Sequence, residues 1–286
     1  MINQSKNALN PGDFVKHASL AWVVYHVVEL GHIVSYFETH AGAGAYEVVP
    51  DASRAYLAAG LPASDGSPTE PYFSALRSEM MWASKRLRCP GSPLIAAHQL
   101  RHDLRHSATL FDIDPAACAS LAALLPKARV VEGSALDESP ANPFVAGDNR
   151  CPIVLVDPFG VCPTDDNASL AQGLVSRTAL DRLVRRVCSA AGKHGPALLL
   201  VWSHGDSWLQ PELRALGSDL REDARFVTVG IERGNIRTPY FLVVMGIGDV
   251  GRRVIADMRR ARGAGGGWDE SPLLQLWNLR LTLSEA

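Results

Sequence analysis

The chain has 286 residues, long for one domain at about 150 residues each but within the range of intact α/β folds. Its composition is 47% hydrophobic and 20% charged with a mean hydropathy of +0.02, which excludes wholesale disorder, collagen-like repeats and a coiled-coil rod. A net charge of −2 gives no overall basic field for a polyanion and leaves only local basic patches open to that role.

The apolar stretches 22–28 and 197–202 fall short of the ~18–20 residues that cross a bilayer, so no membrane partner is expected. The opening Met1-Ile2-Asn3-Gln4-Ser5-Lys6 has no secretory hydrophobic region, which makes the cytoplasm the expected location. Five scattered cysteines, without a Cys-x-x-Cys pair, argue for separate reduced thiols and against a disulfide framework or a metal site. The oligomeric state is not legible.

In chain order, Phe14–Leu30 carries Phe14, Ala18, Ala21, Tyr25 and Val28 on one helical face. Ile33–Phe37 then reads as a buried strand. The stretch before the next strand is too long for one crossover helix. Its first part, Asp51–Pro71, is rich in Ala, Ser, Gly and Pro; its second, Tyr72–Arg88, reads as helical and ends in Lys85, Arg86 and Arg88. We expect a small helical insertion leaning over the strand ends. Helix Pro93–Arg105, strand Ala108–Phe111, helix Pro115–Leu125 and strands Arg129–Val131 and Ile153–Val156 follow. Beyond them come helix Leu170–Ala191, strand Leu198–Trp202 and helix Gln210–Leu220. Phe226–Ile231 and Tyr240–Gly246 read as an antiparallel hairpin. The tail holds Arg252, Arg253, Arg259, Arg260 and Arg262, then Gly263–Gly267, and reads as a basic helix with a flexible end. Strands alternating with helices predict an α/β, doubly wound, mainly parallel seven-stranded sheet. The expected parts are 1–46, the first helix and strand; 47–92, the insertion; and 93–286, the remainder with its basic tail.

Chemistry concentrates where apolar strands end. Glu38-Thr39-His40-Ala41-Gly42-Ala43-Gly44 follows the first strand, and an acid, three residues and Gly-x-Gly open the S-adenosylmethionine site of many class I methyltransferases. Gly42 and Gly44 let the backbone turn and approach a ligand, and Glu38 is placed to meet the ligand's ammonium directly or through water. Glu47 stands where a dinucleotide fingerprint has its third glycine, which disfavours NAD. After the second strand, Asp112 or Asp114 is placed to bridge ribose hydroxyls or to cap a helix. Gly133 and Ser134 after the third lie near an adenine or form an ordinary turn. The fourth strand ends in Asp157-Pro158-Phe159-Gly160. Ligands in open α/β sheets bind beyond the carboxyl ends of strands, and Glu38, Asp112 and Asp157 all fall there.

With these blocks in order, the chain resembles the bacterial 23S ribosomal RNA adenine-N6 methyltransferase family. Asn10-Pro11-Gly12-Asp13-Phe14-Val15-Lys16-His17 is similar to its N-terminal block, and Thr39-His40-Ala41-Gly42-Ala43-Gly44 matches its glycine turn. Pro90-Gly91-Ser92-Pro93-Leu94-Ile95-Ala96 matches its Pro-Gly-Ser-Pro block, and Asp157-Pro158 starts its catalytic tetrapeptide. The resemblance spans about residues 10–160. It implies a Rossmann-like class I fold, S-adenosylmethionine as cofactor and S-adenosylhomocysteine as product. It also implies that Lys16, His17 and His40 line the cofactor pocket, that Ser92 contacts the methionine end and that Asp112 holds the ribose. Asp157, with Pro158 and Phe159, would receive the amino group being methylated. Without the resemblance, His17 and His40 read as ordinary histidines.

One departure stands out. The family's Asp-Pro-Pro-Tyr is Asp157-Pro158-Phe159-Gly160 here, so the aromatic that stacks on a flipped base is missing from its place. The same run resembles the three-Cys-motif partner proteins. The acceptor is therefore expected to be a nucleic-acid base, RNA first, with a small-molecule amine or a non-catalytic cofactor-binding role as alternatives. Lys85/Arg86/Arg88, Arg182/Arg185/Arg186 and Arg252–Arg262 are either a phosphate track or solvated helix faces.

Overall fold

The computed structural model describes residues 10–47, 68–82, 88–136, 149–158, 160–162, 174–192, 195–204, 208–233, 236–261 and 280–285. Helix α1 (Pro11–Glu29) leads into β1 (Ile33–Glu38) and the short β2 (Ala45–Glu47). Then come α2 (Glu70–Trp82), β3 (Arg88–Pro90), α3 (Ser92–Leu100), β4 (Ser107–Asp112), α4 (Pro115–Leu124) and β5 (Arg129–Glu132). The second half runs β6 (Arg150–Val156), β7 (Gly160–Cys162), β8 (Leu174–Ser176), α5 (Arg177–Ala190), β9 (Ala197–His204) and α6 (Leu209–Leu220). It closes with β10 (Arg225–Arg233), β11 (Ile236–Ile247), α7 (Gly248–Arg260) and β12 (Arg280–Glu285).

The main sheet has the order β12-β10-β11-β9-β6-β1-β4-β5. From β9 to β5 neighbours run parallel, while β11 is antiparallel to both β9 and β10. This is the expected doubly wound, Rossmann-like arrangement, with the hairpin at one side. An eighth strand, β12, lies antiparallel on β10. It corrects the reading of the tail as helix followed by flexible chain: Leu281 and Leu283 alternate with polar residues, a period-two pattern that covers the edge β10 would otherwise expose.

Strand alternation divides the core. Val34, Tyr36, Ile153, Leu155, Leu198 and Leu200 face α1–α4 and α7, whereas Phe37, Val154, Val156, Leu199 and Val201 face α5 and α6. Helix α1 departs from its expected single buried face, because every residue from Phe14 to Val24 is buried. The reason is α2, whose Tyr72 and Phe73 pack edge-on and tilted against Phe14 on the side away from the sheet. The predicted helix Tyr72–Arg88 divides into α2 and β3, and β3 pairs antiparallel with β2. The helix expected from Leu170 begins at Arg177, where the Ser176 side chain accepts the Ala179 N–H at 3.1 Å. Residues 48–67, Lys85, Arg86, Phe159, and 262–279 with the glycine run lie outside the described residues.

Helix α7 packs on β11 through two glycines. A Cβ on Gly251 would stand 2.8 Å from the carbonyl carbon of Gly246 and 3.0 Å from the Ala197 oxygen, both backbone atoms that cannot swing aside. We expect Gly251→Ala to destabilise the chain by about 1–3 kcal/mol, read as a lower urea midpoint at unchanged slope.

Candidate functional site

Strands β4, β1 and β6 lie side by side and end on one rim. Glu38 registers with Leu110 of β4 and Leu155 of β6, so Asp112 and Asp157 stand two residues further out on either side of it. The carboxylates of Glu38, Asp112 and Asp157 thus share this rim.

Glu38 is fully buried. Tyr36, on the same face of β1, donates its hydroxyl to Glu38 Oε2 at 2.7 Å, and Ser92, the first residue of α3, donates to Oε1. Burial dominates these hydrogen bonds and pushes the Glu38 carboxyl up to about 8. Glu38, expected to meet a ligand's ammonium, has a hydrogen bond from the protein on each oxygen and none of its surface exposed.

The cation of the site is Lys16. Its Nζ donates to Asp157 Oδ2 at 2.7 Å and lies 3.5 Å from Asp13 Oδ1. Burial of Lys16 opposes its charge, but Asp157 and Asp13 outweigh it and raise its pKa. Asp13 is itself raised, by burial first. The N-terminus of α1 sets this geometry. Asn10 caps it by accepting the Asp13 N–H at 2.9 Å, Pro11 fits the first turn, and Gly12 lies against the Trp202 ring at a distance that leaves a Cβ 3.0 Å from Cζ2. One turn on, Lys16 Nζ sits 5.7 Å from the Trp202 ring centroid, a cation–π distance. Asp157 Oδ1 has no hydrogen bond among the described residues.

The glycine turn lies between these acids. Gly42 and Gly44 have φ of +61° and +79°, a region where only glycine is unstrained. Gly42 donates its N–H to Asp112 Oδ2 at 2.7 Å, and Asp114 N–H reaches Oδ1 at 2.9 Å. Asp114 itself caps α4 through Ala116 N–H, which decides between the two candidates: Asp112 belongs to the rim and Asp114 to the helix. Gly44 O accepts the Gly91 N–H at 2.7 Å, so the glycine turn and the Pro-Gly-Ser-Pro block close on each other. Gly133 donates its N–H to Asp112 O at 2.8 Å, and a Cβ there would meet open space. Ser134 Oγ accepts the Leu136 N–H at 3.1 Å and so serves its own turn.

His40 Nδ1 lies 2.7 Å from Thr39 Oγ1, and burial lowers its pKa. His17 is buried, beside Tyr72 at 6.3 Å between centroids. Burial and then Lys16 hold its imidazole well below the usual range, and its Nδ1 has no hydrogen-bond partner among the described residues. Pro158 is buried beside Asp157. Three participants escaped the sequence reading. Asp13 is visible in retrospect as an acid one helical turn before Lys16, and Tyr36 by its two-residue spacing from Glu38. Tyr46 lies over Gly91; its phenol is raised by burial and feels Lys16, Glu38 and Asp157.

The basic clusters divide. Arg182 and Arg185 are exposed on α5. On α7, Arg252 pairs with Asp249, and Arg253 and Arg260 pair with Asp257, as expected of a solvated helix face. A cleft lined by Arg185, Cys188, Arg221, Asp223 and Arg252 opens near the start of β9, the rim opposite the acids. No helix among the described residues is long and apolar enough to cross a membrane, and these residues include no cluster of three potential metal ligands.

No family model matches the chain, and no curated protein does. Among solved structures it is similar to protein LPL1258 of Legionella pneumophila, described by family model DUF519, at 14% identity with a TM-score of 0.64 over 98% of each chain. That likeness shows the shared fold. Fainter likenesses, each with a TM-score of 0.36, add nothing to it: an rRNA methylase of Streptococcus thermophilus, at 12% identity over 82% of this chain and 96% of that one, and a TehB-like SAM-dependent methyltransferase of Corynebacterium glutamicum, at 11% over 79% and 88%.

Removing Lys16 while keeping its volume leaves two half-buried carboxylates without a cation among the described residues. We expect Lys16→Met to lose about 3–5 kcal/mol at neutral pH. In the variant, Asp13, already raised by burial, loses the ammonium that opposes the rise. The deficit therefore shrinks as pH falls and grows as pH rises through its folded value. Urea titrations of both proteins between acid and neutral pH check the sign.

Proposed function

We propose that the chain is an S-adenosylmethionine-dependent methyltransferase acting on an amino nitrogen, with a base of RNA as the acceptor class. The observation that carries this reading is Asp157. It leaves the central strand β6 on the same rim as the glycine turn, with one oxygen held by Lys16 and the other without a hydrogen bond among the described residues.

The residues present fit the cofactor. Gly42 and Gly44 bring bare backbone to the rim. Asp112, half-buried and bonded to two N–H groups, keeps two of about four lone-pair sites for ribose hydroxyls. Gly133 leaves open space where an adenine edge would lie, and His17 Nδ1 is an unpaired buried polar atom beside Lys16. When bound, the cofactor supplies an electrophilic methyl on a sulfonium that leaves as a neutral thioether. The chain's task is then alignment and exclusion of water. Asp157 Oδ1 accepts a hydrogen bond from the acceptor amine and stabilises the positive charge that grows on its nitrogen. Lys16 fixes that carboxylate from the far side.

A small-molecule amine is the second reading, favoured by the net charge of −2 and by the α7 arginines that spend their charge on Asp249 and Asp257.

Asp157→Asn is expected to lower labelled-methyl transfer about 10²–10³-fold and to keep cofactor binding, measured by calorimetry. Undiminished transfer would remove Asp157 from its role. An RNA acceptor binds in a strongly salt-dependent way and a small amine does not, so acceptor affinity at rising salt separates the two readings.

A further inference from the structure

The rim holds more acid than base. Among the described residues, Asp13, Asp157 and Glu38 converge with one cation, Lys16. Asp157 and Asp13 take Lys16 directly, at 2.7 and 3.5 Å, and already outnumber its charge. Glu38, with none of its surface exposed, has no cation in contact among the described residues. Its neighbours are the hydroxyls of Tyr36 from its own strand and Ser92 from α3. Lys16 from α1 and Asp157 beyond β6 act on it through space with opposite signs, and Tyr46 on β2 faces it with a neutral phenol. His17, the other basic group of α1 at the site, is held neutral. A fully buried carboxylate with no cation against it, beside two half-buried ones, is costly. Hydroxyls, unlike ammonium or guanidinium groups, serve either protonation state, since each donates to a carboxylate or accepts from the acid. Glu38 is thus built to carry a proton when the pocket holds no positive ligand.

We propose that arrival of a cationic ligand at this rim expels that proton from Glu38 to solvent, so that the pocket distinguishes the sulfonium methyl donor from its neutral thioether product by charge. The proposal rests on the reading of the rim as an S-adenosylmethionine site and deepens it. Donor and product share an ammonium and a carboxylate that balance each other, and the unbalanced charge of the donor is its sulfonium. The Glu38 carboxyl, raised by burial to about 8, is protonated near neutral pH and available for release.

Calorimetry of the full chain with S-adenosylmethionine in buffers of different ionisation enthalpy counts the protons. In the window of about pH 6–7 the ligand's own ammonium stays charged. There the wild type is expected to release about one proton per donor bound, with affinity rising about tenfold per pH unit. S-adenosylhomocysteine is expected to release less than half as much. Glu38→Gln, which keeps the shape and the hydroxyl contacts, is expected to release none and to bind the donor with an affinity that no longer follows pH. Donor binding without proton release, equal release by donor and product, or undiminished release by Glu38→Gln each overturn the inference. The wild-type measurement stands even where the variant fails to fold. Failure of both ligands to bind would instead overturn the site reading beneath it.

Discussion

The ion pair between Lys16 and Asp157 organises the site. It joins the second turn of the first helix to the loop after the central strand, 141 residues away. Burying a lysine requires a partner in contact, and the pair meets that need only if α1 runs close beneath the strand ends. Gly12 allows the approach by leaving room for the Trp202 ring. The aromatic pair Tyr72 and Phe73 closes over Phe14 from the other side. Helix α1 is consequently wrapped by protein and carries apolar residues around its whole circumference, with Lys16 and His17 as its buried basic residues.

The motif blocks that carry the family resemblance converge in space. Gly44 O receives the Gly91 N–H, and Ser92 reaches Glu38 across the same junction. The intervening segment brings the start of α3 back onto the glycine turn. Short strands β2 and β3 make the return, pairing Ala45 with Pro90 and Glu47 with Arg88. The described part of the insertion thereby supports the rim and the α1 core together.

Much of this was legible in the chain. Apolar runs that stop at an acid mark strand ends, and that placed Glu38, Asp112 and Asp157 on one rim before any coordinates. Helix caps were legible in type but ambiguous in role: Asp112 and Asp114 differ only in whether the side chain turns to Gly42 N–H or to Ala116 N–H, a choice made by backbone direction. Long-range pairing was not legible. Nothing local to Lys16 names Asp157 as its partner, and nothing local to Glu38 says that Ser92 will occupy it. β12 was missed because six residues of alternating polarity after a glycine-rich stretch carry little weight until an unpaired β10 edge is there to receive them. The all-round burial of α1 was missed because amphipathic spacing on one face says nothing about what covers the other.

The charge arrangement also explains why the N-terminal helix belongs to the site. A carboxylate that is to receive a developing positive charge must stay ionised and point one way while the pocket excludes water. In the proposed reaction Lys16 would serve that end by holding Oδ2, while Oδ1 has no hydrogen bond among the described residues. Its charge partly cancels that of Asp157, which would blunt the stabilisation. Asp13 offsets this by drawing on the same ammonium from one helical turn away. The triad of Asp13, Lys16 and Asp157 therefore carries a net negative charge with fixed orientation, and α1 is the element that delivers two of its members.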